Sequence, residues 1–157
     1  FSKYIMAKYI KNIPNIYDLR LFGVYGKYED WRIRFISQSI YQVISNKDII
    51  INQNVFFDYL YIDDLVKIIK LLIEKKTIPP QYINVCTGKT IDLISLAKIV
   101  IDISGKKLKI KIKEKGLKKE YSGNNNKLLK AIGSFKFIQI EQSIAELYNW
   151  YKIIKYE

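Results

Sequence analysis

Residues Asn15 to Gly26, NIYDLRLFGVYG, constrain this chain more than any other stretch. A polar lead-in gives way to Ile16, Leu19, Leu21, Phe22 and Val24, with no internal proline, and the run ends on Gly23 and Gly26. So short an apolar run predicts a buried strand over residues 15–22 whose carboxyl end opens into a loop, Gly23–Trp31. In open α/β sheets, ligands sit just beyond the carboxyl ends of strands. That loop is therefore the first place to expect a binding edge.

The rest of the chain alternates helix and strand patterns. Residues 2–12 have mixed helical spacing and stop before Pro14. Asp30 is placed to cap a helix from Trp31 to about Ser45, with Ile33, Ile36, Ile40 and Ile44 on one face. Asp48–Asn52 is a short strand. Phe57, Tyr59 and Tyr61 alternate with Asp58 and Leu60, predicting a brief extended piece. Asp63 or Asp64 then caps a helix in which Leu65, Ile68, Ile69, Leu72 and Ile73 keep a helical period, until Pro79-Pro80 breaks it. Gln81–Cys86 reads as a buried strand and Thr87-Gly88 as a turn. Thr90 or Asp92 starts a helix through Leu93, Leu96, Ala97 and Val100, ended by Ser104-Gly105. KLKIKIK, residues 107–113, alternates strictly and predicts a half-exposed edge strand on which lysine discourages aggregation. Asn124–Ile132 is a short helix closed by Gly133, and Ile140, Ile144, Leu147 and Tyr151 mark a last one. Such alternation predicts an α/β layer structure. The 157 residues suit one domain with a real core.

Composition excludes some chemistry. There is no histidine, hence no His-based triad and no His-containing zinc site. No metal site is expected. The chain has neither G-x-G-x-x-G nor a P-loop. Asp63 and Asp64 would make a carboxylate pair, but their place at a helix start gives them a structural use. No apolar run approaches the ~18 residues of a membrane span. The single cysteine, Cys86, fits a reducing, cytoplasmic setting. A net charge of +12 invites a nucleic-acid partner. Against this, only Arg20, Arg32 and Arg34 are arginine, and the lysines are spread over every segment instead of forming one stripe.

Four stretches resemble, in order, the C-terminal half of the extended short-chain dehydrogenase/reductases, the NAD-dependent epimerase/dehydratase family acting on nucleotide sugars. Leu19–Gly26, LRLFGVYG, resembles L-R-x-F-N-V-Y-G. Asp58–Leu65, DYLYIDDL, resembles R-D-F-I-Y-V-D-D-L without its first residue. Tyr82–Gly88, YINVCTG, resembles Y-N-V-G-T-G. Asn126–Trp150, with Lys127-Leu128, Gly133 and the closing Trp150-Tyr151, resembles the family's tail. Two departures stand out: Gly23 replaces an asparagine and Phe57 an arginine.

The resemblance implies a fold: the C-terminal part of a Rossmann-like doubly wound sheet plus a small α/β substrate domain, in one unit over residues 1–157. The dinucleotide-binding part would lie upstream. Phe1-Ser2-Lys3 resembles the end of the family's Y-x-x-x-K. Lys3 would then be the catalytic lysine that holds the nicotinamide ribose and lowers the pKa of a tyrosine four residues earlier, before Phe1. Cofactor contacts would come from Lys3, Phe22 and Gly23. Substrate contacts would come from Gly23, Val24, Tyr25, Arg32, Arg34, Phe35, Asn52 and Asn54. Tyr59, Tyr61 and Asp64 would be architectural. With Phe57 unable to clamp a diphosphate, Arg34 is preferred over Arg32 for that task. The implied cofactor is NAD or NADP, bound mainly upstream. The implied parent is a cytoplasmic homodimer acting on a nucleotide sugar by hydride transfer, and the chain alone would be inactive. Two rivals remain: a non-catalytic dinucleotide-binding relative, and a basic nucleic-acid-binding module.

Overall fold

The computed structural model describes residues 1–11, 13, 16–75 and 82–154. Helix α1 (Ser2–Ile10) leads into strands β1 (Asp18–Leu21) and β2 (Gly23–Tyr25). Helix α2 (Phe35–Ile44), strands β3 (Ile49–Asn54), β4 (Phe56–Phe57) and β5 (Tyr59–Tyr61), and helix α3 (Ile62–Glu74) follow. Then come β6 (Tyr82–Val85), β7 (Ile91–Asp92), α4 (Leu93–Ser104), β8 (Ile110–Leu117), α5 (Asn126–Ile132) and α6 (Ile140–Ile153).

Among the described residues the strands form four pairs. β1 runs parallel to β6, β2 to β5 and β3 to β8, while β4 and β7 are antiparallel. Parallel pairing with helical crossovers is the α/β layout that the alternating sequence predicts. Two apolar clusters hold the layers together. Val43, Ile51, Leu96, Val100, Ile144 and Tyr151 join α2, α4 and α6 to β3. Leu60, Leu65, Ile68, Ile83, Val85 and Leu128 join α3 and α5 to the strands β5 and β6.

Several elements differ from the sequence expectation. The strand expected over 15–22 is β1, residues Asp18–Leu21, and the loop expected from Gly23 opens instead with a second strand. After Phe22 the chain leaves β6 and takes β5 as its partner, so Gly23–Tyr25 is strand, not loop. β1 is not buried either: Leu21 is 45% exposed. The helix expected from Trp31 begins at Phe35. Asp30 instead closes a turn, its Oδ1 accepting from the Arg32 amide at 3.0 Å and its carbonyl from the Ile33 and Arg34 amides. Ile33 consequently points out, 74% exposed, while Ile36 and Ile40 are buried.

Asp64 caps nothing. It lies buried in the first turn of α3, and its Oδ2 accepts from the Ile138 amide at 2.7 Å, tying that helix to the segment before α6. Asp63 stays exposed, so the two carboxylates do not converge. Ile73 is exposed. The alternating lysine stretch becomes β8, which starts at Ile110 and is exposed along almost its whole length. Asp92 and Gly105 do begin and end α4 as expected. The Asp92 carboxylate accepts from the Ile94 and Ser95 amides, and Gly105 sits at φ 67°. The expected stop at Pro79-Pro80, the strand start at Gln81, and Pro14 and Asn15 lie outside the described residues.

Candidate functional site

Gly23 sets the geometry of the candidate site. Its amide donates to the Asp58 carbonyl at 3.0 Å. A Cβ at this position would stand 2.7 Å from that carbonyl oxygen and 3.1 Å from the Tyr59 ring. Only glycine permits so close an approach of β2 to the turn before β5. Gly26 is constrained likewise, since a Cβ there would collide with Ile62.

Asp58 fixes the other side of this crossing. It is fully buried, and its carboxylate accepts three hydrogen bonds. Two come from the Thr87 amide and hydroxyl, at 2.9 and 2.7 Å, and one from the Gly88 amide at 2.7 Å. The turn after β6 is thereby bound to the link between β4 and β5. A buried carboxylate met by three donors is the arrangement that makes burial of charge tolerable.

Beyond this crossing lies a cavity of about 360 Å³. The residues of β2 and the preceding Phe22 form one wall, and Glu29, Arg34 and Phe35 a second. Phe57, Tyr59 and Tyr121 complete an aromatic side. Their rings touch in sequence: Phe57 lies 5.5 Å from Tyr59 and 5.8 Å from Tyr121, and Phe22 lies 5.3 Å from Tyr121. The segment carrying Tyr121 is held by the backbone, with the Tyr121 amide donating to the Phe56 carbonyl and the Asp58 amide to the Tyr121 carbonyl. The Tyr25 ring forms wall, but its hydroxyl is spent on Ser143 of α6. Burial pushes the phenols of Tyr25 and Tyr59 well above the ordinary tyrosine range.

Two charged groups reach the cavity. Arg34 has extended backbone at the start of α2. Among the described residues no carboxylate lies within ion-pairing distance of its guanidinium, which leaves its donors available. Glu29 accepts from the hydroxyl of buried Ser37. Burial raises its pKa, while the Ser37 hydroxyl, the Arg34 charge and the Gly26 amide pull the other way.

Of the residues expected at the site, Phe22, Gly23, Val24, Tyr25, Arg34 and Phe35 converge on this one cavity. Arg32 does not. It pairs with Asp30 at 3.7 Å and stacks its guanidinium over Trp31. Asn54 lies elsewhere, donating to Asp92 at 3.1 Å and reinforcing the start of α4. Asn52 is exposed on β3, and Lys3 is exposed on the first turn of α1. Tyr59, expected to be architectural, lines the cavity. Sequence reasoning covers Glu29 only as an unnamed member of the expected binding edge Gly23–Trp31, and it misses Tyr121. Glu29 looks like an ordinary loop acid beside Asp30, and its link to Ser37 shows only in three dimensions.

Residues 1–86 match the model of the NAD dependent epimerase/dehydratase family. The chain belongs to that family. Solved structures extend the likeness in fold to nearly the whole chain. The UDP-glucuronic acid 4-epimerase of Bacillus cereus, in complex with UDP-glucuronic acid and NAD, is 21% identical with a TM-score of 0.83 over 96% of this chain and 50% of that one. The dTDP-glucose 4,6-dehydratase of Bacillus anthracis, in complex with NAD, is 18% identical with a TM-score of 0.82, covering 97% and 49%. The UDP-glucose 4-epimerase of Thermotoga maritima, with UDP-glucose, is 19% identical with a TM-score of 0.78, covering 97% and 51%. This family chain thus spans about half the length of the solved structures it matches. A comparison with curated proteins finds no match. Among the described residues, no helix is long and apolar enough to cross a membrane.

Proposed function

We propose that this chain is the substrate-side half of an NAD(P)-dependent nucleotide-sugar epimerase, dehydratase or reductase. The observation that carries the proposal is the cavity walled by Phe22 and the whole of β2. The family's L-R-x-F-N-V-Y-G segment forms its wall, and Arg34 brings an uncommitted guanidinium to it. A planar, two-pronged donor suits a diphosphate oxygen pair. The aromatic side from Phe57, Tyr59 and Tyr121 gives a base or a sugar face something to pack on.

The residues here fit the nicotinamide end of the cofactor and not its pyrophosphate end. Phe22 opens the cavity wall, whereas the chain has no G-x-G-x-x-G. When bound, NAD or NADP would accept and return a hydride at a sugar carbon. Phe22 and Gly23 would border the nicotinamide, and Lys3 would hold its ribose. Val24, Tyr25, Arg34 and Phe35 would enclose the substrate, with Arg32, Asn52 and Asn54 outside its direct contacts. The aromatic side would keep water from the reacting carbon. The dinucleotide-binding part would precede this chain in a soluble, cytoplasmic parent. α1 exposes Tyr4, Ile5, Met6 and Tyr9 and buries no residue of its own, which supports a homodimer built on that helix.

The test uses the full-length protein carrying this chain. It is incubated with NAD and either UDP-glucose or dTDP-glucose. Expected are saturable binding and either a nicotinamide absorbance change or an isomeric or dehydrated sugar by NMR. Absence of both binding and turnover with every nucleotide sugar tried would defeat the proposal.

A further inference from the structure

Glu29 has no counterpart among the residues that the family resemblance places at the site, yet it stands in the cavity wall with Arg34. Its carboxylate is positioned, not loose. One oxygen takes the hydroxyl of Ser37, which is itself fully buried in the first turn of α2. The Gly26 amide also meets the carboxylate, and no second side chain donates to it among the described residues. The cavity therefore offers a ligand one guanidinium, which only donates, and one carboxylate, which only accepts while ionised.

From this pairing we infer that Glu29 determines specificity, selecting nucleotide sugars whose sugar is neutral or carries an amino group and rejecting uronic acids. The inference rests on the nucleotide-sugar function proposed above and names the substrate class of that site. A sugar hydroxyl or amine can donate to a remaining lone pair of the Glu29 carboxylate, beside the Ser37 hydroxyl and the Gly26 amide. A sugar carboxylate cannot, and in a space of about 360 Å³ it would stand within about one screening length, ~8 Å, of Glu29. Two like charges so close, partly shielded from water, cost binding tenfold or more. Arg34 does not cancel this repulsion, because the diphosphate already claims its donors.

Arg34 is the cation that the Glu29 charge senses. Tyr25, Tyr59 and Tyr151 feel the Glu29 charge as well, and burial raises all three phenols, so they stay neutral through the acid range. Ser37 and the Gly26 amide carry no charge.

The full-length protein and its Glu29→Gln variant, which keeps the side chain's shape, are compared on UDP-glucose and UDP-glucuronic acid. The wild type should favour UDP-glucose in kcat/KM by at least about tenfold, and Glu29→Gln should shrink that ratio about tenfold. A second measurement needs no variant. The wild-type affinity ratio of the two ligands should move toward the uronate as pH falls through the Glu29 pKa, which burial raises above the ordinary carboxylate value. Should the variant fail to fold, this pH dependence alone decides. A wild type that handles the uronate as well as UDP-glucose overturns the inference, and so does a ratio unmoved by both the substitution and pH. If neither nucleotide sugar binds, the nucleotide-sugar function itself fails and takes this inference with it, a different result from binding without discrimination.

Discussion

Replacing Asp58 by asparagine isolates the charge that holds the two walls of the site in place. Asp58 is buried and accepts from the Thr87 amide, the Thr87 hydroxyl and the Gly88 amide. Asparagine fills the same space but has one acceptor oxygen and one NH2. In either orientation of its amide, one backbone N–H of the turn meets that NH2 and loses its partner. A hydrogen bond to a charged acceptor is worth about 1.5–3 kcal/mol, and a buried donor left unmet costs a further ~1 kcal/mol or more. The expected loss is therefore about 3 kcal/mol. For a chain of this size each kcal/mol moves Tm by roughly 2–4 °C, so the midpoint should fall by roughly 6–12 °C. Thermal unfolding followed by circular dichroism reads this directly. The exposed Asp63→Asn, changed in the same way on the next helix, should stay within about 0.5 kcal/mol of wild type. A drop of less than about 2 °C for Asp58→Asn, equal to that of Asp63→Asn, would refute the view that this carboxylate binds the turn to the β4–β5 link.

Other outcomes follow from the same geometry. In the full-length protein, Arg34→Ala should raise KM for a nucleotide sugar roughly tenfold to a hundredfold, the loss of one charge-assisted contact, while Arg32→Ala should change it less than about twofold; equal effects would remove the basis for preferring Arg34. Burial works against the Asp92 charge, but the Ser95 and Asn54 side chains and the Ser95 and Ile94 amides hold its pKa below the ordinary value. Asp92→Ala should therefore cost about 1 kcal/mol at pH 7, the difference shrinking as pH falls below about 3.9, through the depressed folded pKa, in acid-unfolding curves. Burial, helped by the Asp58 charge, pushes the Cys86 thiol up to about 11, so iodoacetamide at pH 8 should label it only once denaturant unfolds the chain. The full-length protein should sediment as a dimer at micromolar concentration, and a purely monomeric boundary would count against assembly through α1.

What the sequence discloses of this fold is its local signals. Asp92 with Gly105 marks both ends of α4, because capping and left-handed backbone are decided within a few residues. The period Leu65–Ile68–Ile69–Leu72 finds the buried face of α3, since the helical repeat itself makes that face. The break at Phe22 is not local. LRLFGVY has no proline or turn signal at Phe22, and only the choice of β6 for its first half and β5 for its second divides it. No pattern within the stretch encodes partners that stand decades of residues away. Asp64 misleads for a related reason. An acid at a helix start looks like a cap, but here the Ile138 amide, far along the chain, claims it.

The site divides along the same line. The sequence favours Arg34 over Arg32 because two residues two apart on a helix point about 200° apart, and Ile33, Ile36 and Ile40 would mark the buried face with Phe35 flanking the pocket. Even so, the helical geometry behind that preference does not hold. Arg32 lies in a turn and Arg34 at the helix start in extended backbone, so what separates them is not their angle around a helix axis. Asp30 and Trp31 engage Arg32 and leave Arg34 to the cavity. Glu29 offers no such sequence clue, since an acid in a glycine-bounded loop is usually solvated. Its meaning comes from Ser37, eight residues on, whose hydroxyl is buried and needs an acceptor. The hydroxyl and the carboxylate satisfy one another, and that mutual need places a negative charge in a cavity otherwise suited to an anion. A site built only to attract negative charge would not hold one there. A site that must tell a neutral sugar from an acidic one has a use for it.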